Sequence, residues 1–164
     1  MALRHIVTEG DDILRKNCRP VTEVTDRIRM TLEDMLETMR TEMGVGIAAP
    51  QVGIMRRMFV AEPEPGRVYF MINPEIYETE GEQDGYEGCL SVPGMIGAVV
   101  RPQKIKMRAM DLDGVVQEYE FEDFDARVMC HENDHLNGIL YTDKARDIRP
   151  ADSLEDEEEE GDEA

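Results

Sequence analysis

His131-Glu132-Asn133-Asp134-His135 is the stretch whose residue types and spacing point most directly to chemistry. On a helix, positions four apart differ by only about 40°, so two imidazoles spaced this way face one side and can share a metal ion. Glu132 follows the first histidine by one step, which lets its carboxylate serve a water at that ion without joining the ligand set. A pattern with three fixed positions also arises by chance. It needs a third ligand and a helix that turns this face inward.

A catalytic site of the zinc type takes three protein ligands and leaves one position for water. The protease extension H-E-x-x-H-x-x-G-x-x-H is met at Gly138 but fails at its last ligand, where Tyr141 stands. Downstream carboxylates such as Glu155 fall in an acidic run, a poor place for a preorganised ligand, and His5 has no special claim. Upstream, Glu87-Gly88-Cys89-Leu90-Ser91 offers a thiolate that would complete a Cys/His/His set. A lone cysteine is by itself more often a small buried hydrophobe, so its context has to decide.

The elements that must position these groups can be read from periodicity. Ile28, Leu32, Met35, Leu36, Met39 and Met43 recur at helical steps, which predicts an amphipathic helix between Thr25 and Met43 with Thr25 as its cap. Strands are expected at Met58 to Ala61, Val68 to Ile72, Lys104 to Met110 and Val115 to Phe121, with Asp113-Gly114 turning the last two into a hairpin. A second helix should open with Asp123 as N-cap and close at Gly138, its inward stripe formed by Phe124, Val128, His131 and His135. The expected fold class is α+β, with antiparallel sheets packed around a central helix that carries H-E-x-x-H.

Acidic residues outnumber basic ones 37 to 18 over the 164 residues. Such a surface repels phosphate backbones and anionic lipids, which argues against direct nucleic-acid or membrane binding, although a local basic patch is compatible with it. No run approaches the roughly 18 apolar residues of a membrane span, and the amino terminus lacks a secretory pattern, so a cytoplasmic protein is expected. Three cysteines, Cys18, Cys89 and Cys130, then read as free thiols or a metal thiolate. The division expected is one catalytic domain over residues 1–150 and an acidic tail over 151–164, with Glu155 to Ala164 disordered.

Gly44-Val45-Gly46-Ile47-Ala48-Ala49-Pro50-Gln51 completes the picture. Alone it reads as a tight-turn segment, without the spacing of a Walker loop. Taken in order, G-V-G-I-A-A-P-Q, E-G-C-L-S and H-E-N-D-H-L-N-G resemble the three signature motifs of the peptide deformylases, and the likeness runs from around Ile13-Leu14-Arg15 to about Asp143. That family removes the formyl group from the N-terminal formylmethionine of newly made polypeptides.

The resemblance implies that Cys89, His131 and His135 hold one divalent metal and that Glu132 is the general acid and base. It further implies that Gln51 and the backbone N–H of Leu90 polarise the formyl oxygen. Gly46 would receive the peptide backbone as an added strand, and Val45, Phe124 and Val128 would wall the methionine pocket. Ferrous iron is the ion it implies natively, with zinc, nickel or cobalt accepted by the same donors. The partners it implies are nascent formylated polypeptides near the ribosome, though the charge balance argues against direct RNA contact. One departure lies inside a motif: Cys130 stands where family members usually have glutamine, at about 100° from His131 and so turned from the metal as a packing residue. On the residues alone, another metal-dependent peptidase or amidase stays open, as does a metal-stabilised protein that binds peptide N-termini without cleaving them.

Overall fold

In the computed structural model the described residues are 2–153. The tail expectation for Glu155 to Ala164 lies outside them. The chain forms α1 (Asp26–Thr41), β1 (Gly46–Ala48), β2 (Met58–Glu64), β3 (Arg67–Glu80), β4 (Gln83–Cys89), β5 (Val92–Arg101), β6 (Lys104–Met110), β7 (Val116–Glu122), α2 (Asp123–His135) and β8 (Arg146–Pro150). Five strands make one antiparallel sheet in the order β1-β2-β3-β6-β7, and three make another in the order β4-β5-β8. This is the α+β class expected.

The two helices lie on opposite faces of the larger sheet, and β2 shows why. Its successive residues Met58, Phe59, Val60 and Ala61 are all fully buried. Met58 and Val60 pack with Leu32, Met35 and Met39 of α1, whereas Phe59 and Ala61 pack with Ala126, Val128 and Met129 of α2. Side chains alternate across a strand, so a strand apolar at every position is one covered on both faces. Burying a Met, Phe, Val or Leu side chain in this way stabilises the fold by roughly 1.5–3 kcal/mol. The smaller sheet closes over a third cluster of Leu14, Val92, Val99, Leu140 and Tyr141.

Thr25 caps α1, its hydroxyl accepting from the Ile28 amide at 3.2 Å. The apolar stripe ends sooner than its periodicity suggests: Met43 lies beyond the helix at φ 57° and is 91% exposed. In β6 the alternation is as expected, with Ile105, Met107 and Ala109 buried. The hairpin between β6 and β7 turns at Gly114 (φ 76°) and is tied by Asp111, whose carboxylate accepts from the Asp113 and Val115 amides.

The second helix differs from its expectation at both ends. Its N-cap is Glu122, which makes no side-chain cap hydrogen bond, and Asp123 is the first helical residue. Regular helix stops at His135; Gly138 follows in a left-handed turn at φ 73°. A side chain there would meet the Arg15 carbonyl oxygen at 2.5 Å, so the turn's close packing on the N-terminal segment also requires glycine. Phe124 is not inward. The second residue of α2, it stands 50% exposed in the helix's first turn.

Candidate metal centre and its cleft

His131 and His135 occupy the last two turns of α2, 8% and 1% exposed. Cys89 ends β4, and the edge between the two sheets brings its thiol to the helix: Cys89 Sγ lies 3.4 Å from His135 Nε2. One donor atom from each of Cys89, His131 and His135 falls within 4.8 Å of the others. A tetrahedral ion with bonds of about 2.0–2.3 Å spaces its ligands about 3.3–3.8 Å apart, so a slight contraction would close them on one ion. A thiol with two imidazoles is also the donor chemistry of a divalent transition metal.

Burial opposes charge on both imidazoles. On His135 it prevails, reinforced by His131, and holds the pKa well below its ordinary value. On His131 the Cys89 thiol and the Glu87 carboxylate outweigh burial and raise it. Glu87 Oε1 sits 2.8 Å from His131 Nδ1, which orients the ring and leaves Nε2 for a metal. The same carboxylate takes Arg101 through two hydrogen bonds of 2.9 Å and Arg127 at 2.7 Å, and Arg101 reaches on to Asp134 at 2.7 Å. Burial penalises the Glu87 charge, yet Arg101 and His131 hold its carboxyl down to about 2.

This carboxylate and its two arginines were missed in the sequence. A signal was present: Glu87 and Cys89 are two apart on one strand, so both side chains leave the same face. The arginines carry no comparable signal, since they are 14 and 40 residues away.

Glu132 is 4% exposed, and its Oε1 is buried without a hydrogen-bond partner. Burial pushes its carboxyl up to about 7, with Glu87 adding to the rise and His131 opposing it. A carboxyl so placed exchanges a proton near neutrality. It packs directly on Gly46, where a Cβ would stand 2.5 Å from Glu132 Oε2. Gly46→Ala is therefore expected to displace the carboxylate and lower turnover about 10- to 100-fold with unchanged metal content, measured by steady-state kinetics beside elemental analysis.

Gln51 lies in the 3-10 turn after β1 and is 1% exposed. Its Oε1 accepts from the Ala48 amide at 2.8 Å, which points Nε2 at Ser91 Oγ (3.1 Å) and Cys89 Sγ (3.5 Å). A cavity of about 510 Å³ opens beside this group, lined by Val45, Gly46, Gln51, Cys89, Leu90, Phe124, Val128, His131 and Glu132. His135 lies beneath it, fully buried. Nine of the ten residues singled out in the sequence thus share one cleft wall, and the tenth underlies it. Val45 (41% exposed) and Phe124 stand at the mouth, whereas Val128 is buried. β1 is an edge strand of its sheet and β4 of the other, so the cleft runs between two unpaired edges. Cys130, one position before His131, is buried in the apolar cluster behind α2, where burial pushes its thiol up to about 11.

Comparison with known proteins agrees with this geometry. The family model for polypeptide deformylase matches residues 3–151. A peptide deformylase of Thermoanaerobacter pseudethanolicus is 49% identical over 158 residues, covering 96% of this chain and 98% of that protein. One from Agathobacter rectalis is 55% identical over 144 residues, covering 88% and 90%. The crystal structure of the Thermotoga maritima peptide deformylase superposes with a TM-score of 0.87 at 40% identity, covering 89% of this chain and 99% of that one. With its matched span, its fold and its clustered cysteine and histidines all in accord, the chain belongs to the polypeptide deformylase family.

Proposed function

We propose that the chain removes the formyl group from the N-terminal formylmethionine of nascent polypeptides at one divalent metal held by Cys89, His131 and His135. The observation that carries this reading is the convergence of those three donors beside a buried carboxylate whose Oε1 makes no hydrogen bond, under an edge strand. The family is metal-dependent, in keeping with the donor set. Ferrous iron is the ion we assign natively, with zinc, nickel or cobalt able to replace it. Among the described residues no helix is long and apolar enough to cross a membrane, and the cytoplasm is the compartment we assign.

A divalent ion on these donors supplies Lewis acidity, which polarises a carbonyl and makes water a better nucleophile at neutral pH. The chain's own groups do the rest. The nascent peptide lies along the free edge of β1 at Gly46, its backbone paired as an added strand, while the methionine side chain enters the apolar space by Val45, Phe124 and Val128. Glu132 accepts the proton of the attacking water and returns it to the departing amine, a transfer that its raised pKa suits. Negative charge that develops on the formyl oxygen meets the Gln51 amide and the Leu90 N–H.

Losing one such donor costs about 3–4 kcal/mol of transition-state stabilisation. Gln51→Ala is expected to lower turnover accordingly, by about 100- to 1,000-fold, with metal content intact; loss of metal would show instead that Gln51 supports the ligands. The reading as a whole is tested by anaerobic purification with metal analysis and an assay on a formyl-methionyl peptide beside its acetylated twin. Cleavage of the formyl peptide alone is expected. Equal cleavage of both would favour a broader amidase, and binding without cleavage a recognition protein.

A further inference from the structure

A second cleft, of about 650 Å³, lies at the amino-terminal end of α1 and shares no residue with the first. Arg4, Arg19, Arg27 and Arg56 line it, and no acidic side chain does. In a chain with twice as many acids as bases, this concentration of one sign stands out. Arg4 is neutralised by Asp34 at 3.0 Å, and the nearby Asp26 is taken by Arg29 at 2.7 Å. Arg19, Arg27 and Arg56 enter no ion pair among the described residues. Arg19 and Arg56 are moreover paired backbone to backbone in an isolated parallel bridge, which brings the two residues to one place in the fold, and the Arg56 guanidinium donates only to the neighbouring Met55 carbonyl, at 3.4 Å. The start of α1, a 16-residue helix, adds its positive end to the same cleft. Apolar residues such as Ile28 and Met55 line the rest of the cleft with Thr25 and Thr31, so the arginines are its charged contacts.

We propose that this cleft is a binding site for a small multivalent phosphate anion, gripped by the guanidinium groups of Arg19, Arg27 and Arg56. Planar guanidinium forks match phosphate oxygens in pairs, and three of them meet the charge of a di- or triphosphate better than that of a single phosphate. A ligand held only by the folded chain also stabilises it. The inference does not depend on the deformylase reading.

Titration calorimetry of the metal-loaded full chain with inorganic tripolyphosphate, at matched ionic strength, tests it. Saturable one-to-one binding that weakens with added salt is expected, with a rise in melting temperature. Arg19→Gln/Arg56→Gln should weaken binding at least tenfold, Arg19→Lys/Arg56→Lys should recover most of it, and Lys104→Gln/Lys106→Gln on β6, outside the cleft lining, should leave it unchanged. Deformylation by all three unliganded variants should match the parent, which separates a failed site from a failed fold. Equal binding by the glutamine pair and the parent would overturn the proposal. So would saturable binding of a single-stranded RNA oligonucleotide without any of tripolyphosphate, since that would make the patch a backbone-tracking surface.

Discussion

Glu132→Gln should lower kcat/KM for a formyl-methionyl peptide by about 100- to 10,000-fold and leave the metal in place. The two side chains are nearly the same size, so the packing against Gly46 survives and only the proton acceptor is lost. Stability should hold or rise. The parent carboxylate is buried, lacks a partner at Oε1 and is pushed up to about 7, a sign that the fold bears a cost for its charge, which a neutral amide removes. Single-turnover kinetics, elemental analysis and thermal unfolding on the same preparation separate these effects. A variant that comes out metal-free would make Glu132 a group that holds the ion, and a variant with unchanged turnover would end its role as proton carrier.

How much of this was legible in the sequence depends on whether a signal was periodic. The stripe from Ile28 to Met39 and the alternation of Ile105, Met107 and Ala109 announced α1 and β6 because one face of each meets the core and the other meets water. β1, β4, β5 and β8 gave no such pattern. β1 is three residues long, and β4 and β5 carry glycines where the sheets crowd a neighbour: at Gly97 a Cβ would meet that of Ala145 at 2.7 Å. Glycine required for close approach reads, in sequence, like glycine required for a turn. The Gly44 to Gln51 segment looked like a turn for that reason, yet it enters β1. In β8, Arg146-Asp147-Ile148-Arg149-Pro150 is nearly all polar because it forms an edge held partly by charge.

The site divides in the same way. His131, Glu132 and His135 were legible because they share one helix, where spacing fixes direction. Cys89 was offered by its residue type as a third ligand and decided by motif resemblance, which alone supplied the role of Gln51, since their closeness to the helix depends on how two sheets are joined. Glu87, Arg101 and Arg127 were illegible: long-range charge pairing leaves no trace in spacing, and buried charges are against expectation for any single residue.

That network gives the second large effect. Glu87→Ala should destabilise the chain by about 3–5 kcal/mol, because it removes the shared partner of two nearly buried guanidinium groups. Arg101 would keep Asp134, and Arg127 would keep the carbonyls of Gly85 and Val99, so the loss is large without stripping either cation bare. His131 would lose the acceptor that orients its ring, and metal affinity should fall a further 10- to 100-fold. Glu87→Gln separates the two consequences. Its amide oxygen can still accept from His131 Nδ1, but its NH2 opposes the arginine donors and its charge is gone. The glutamine variant should therefore lose most of the same stability while retaining more of the metal affinity. Denaturant midpoints of the metal-free proteins and chelator competition on the loaded ones measure the two quantities independently. Parent-like metal affinity in the alanine variant would mean that α2 alone fixes His131, and that the buried carboxylate serves only to hold β4 and β5 against the helix.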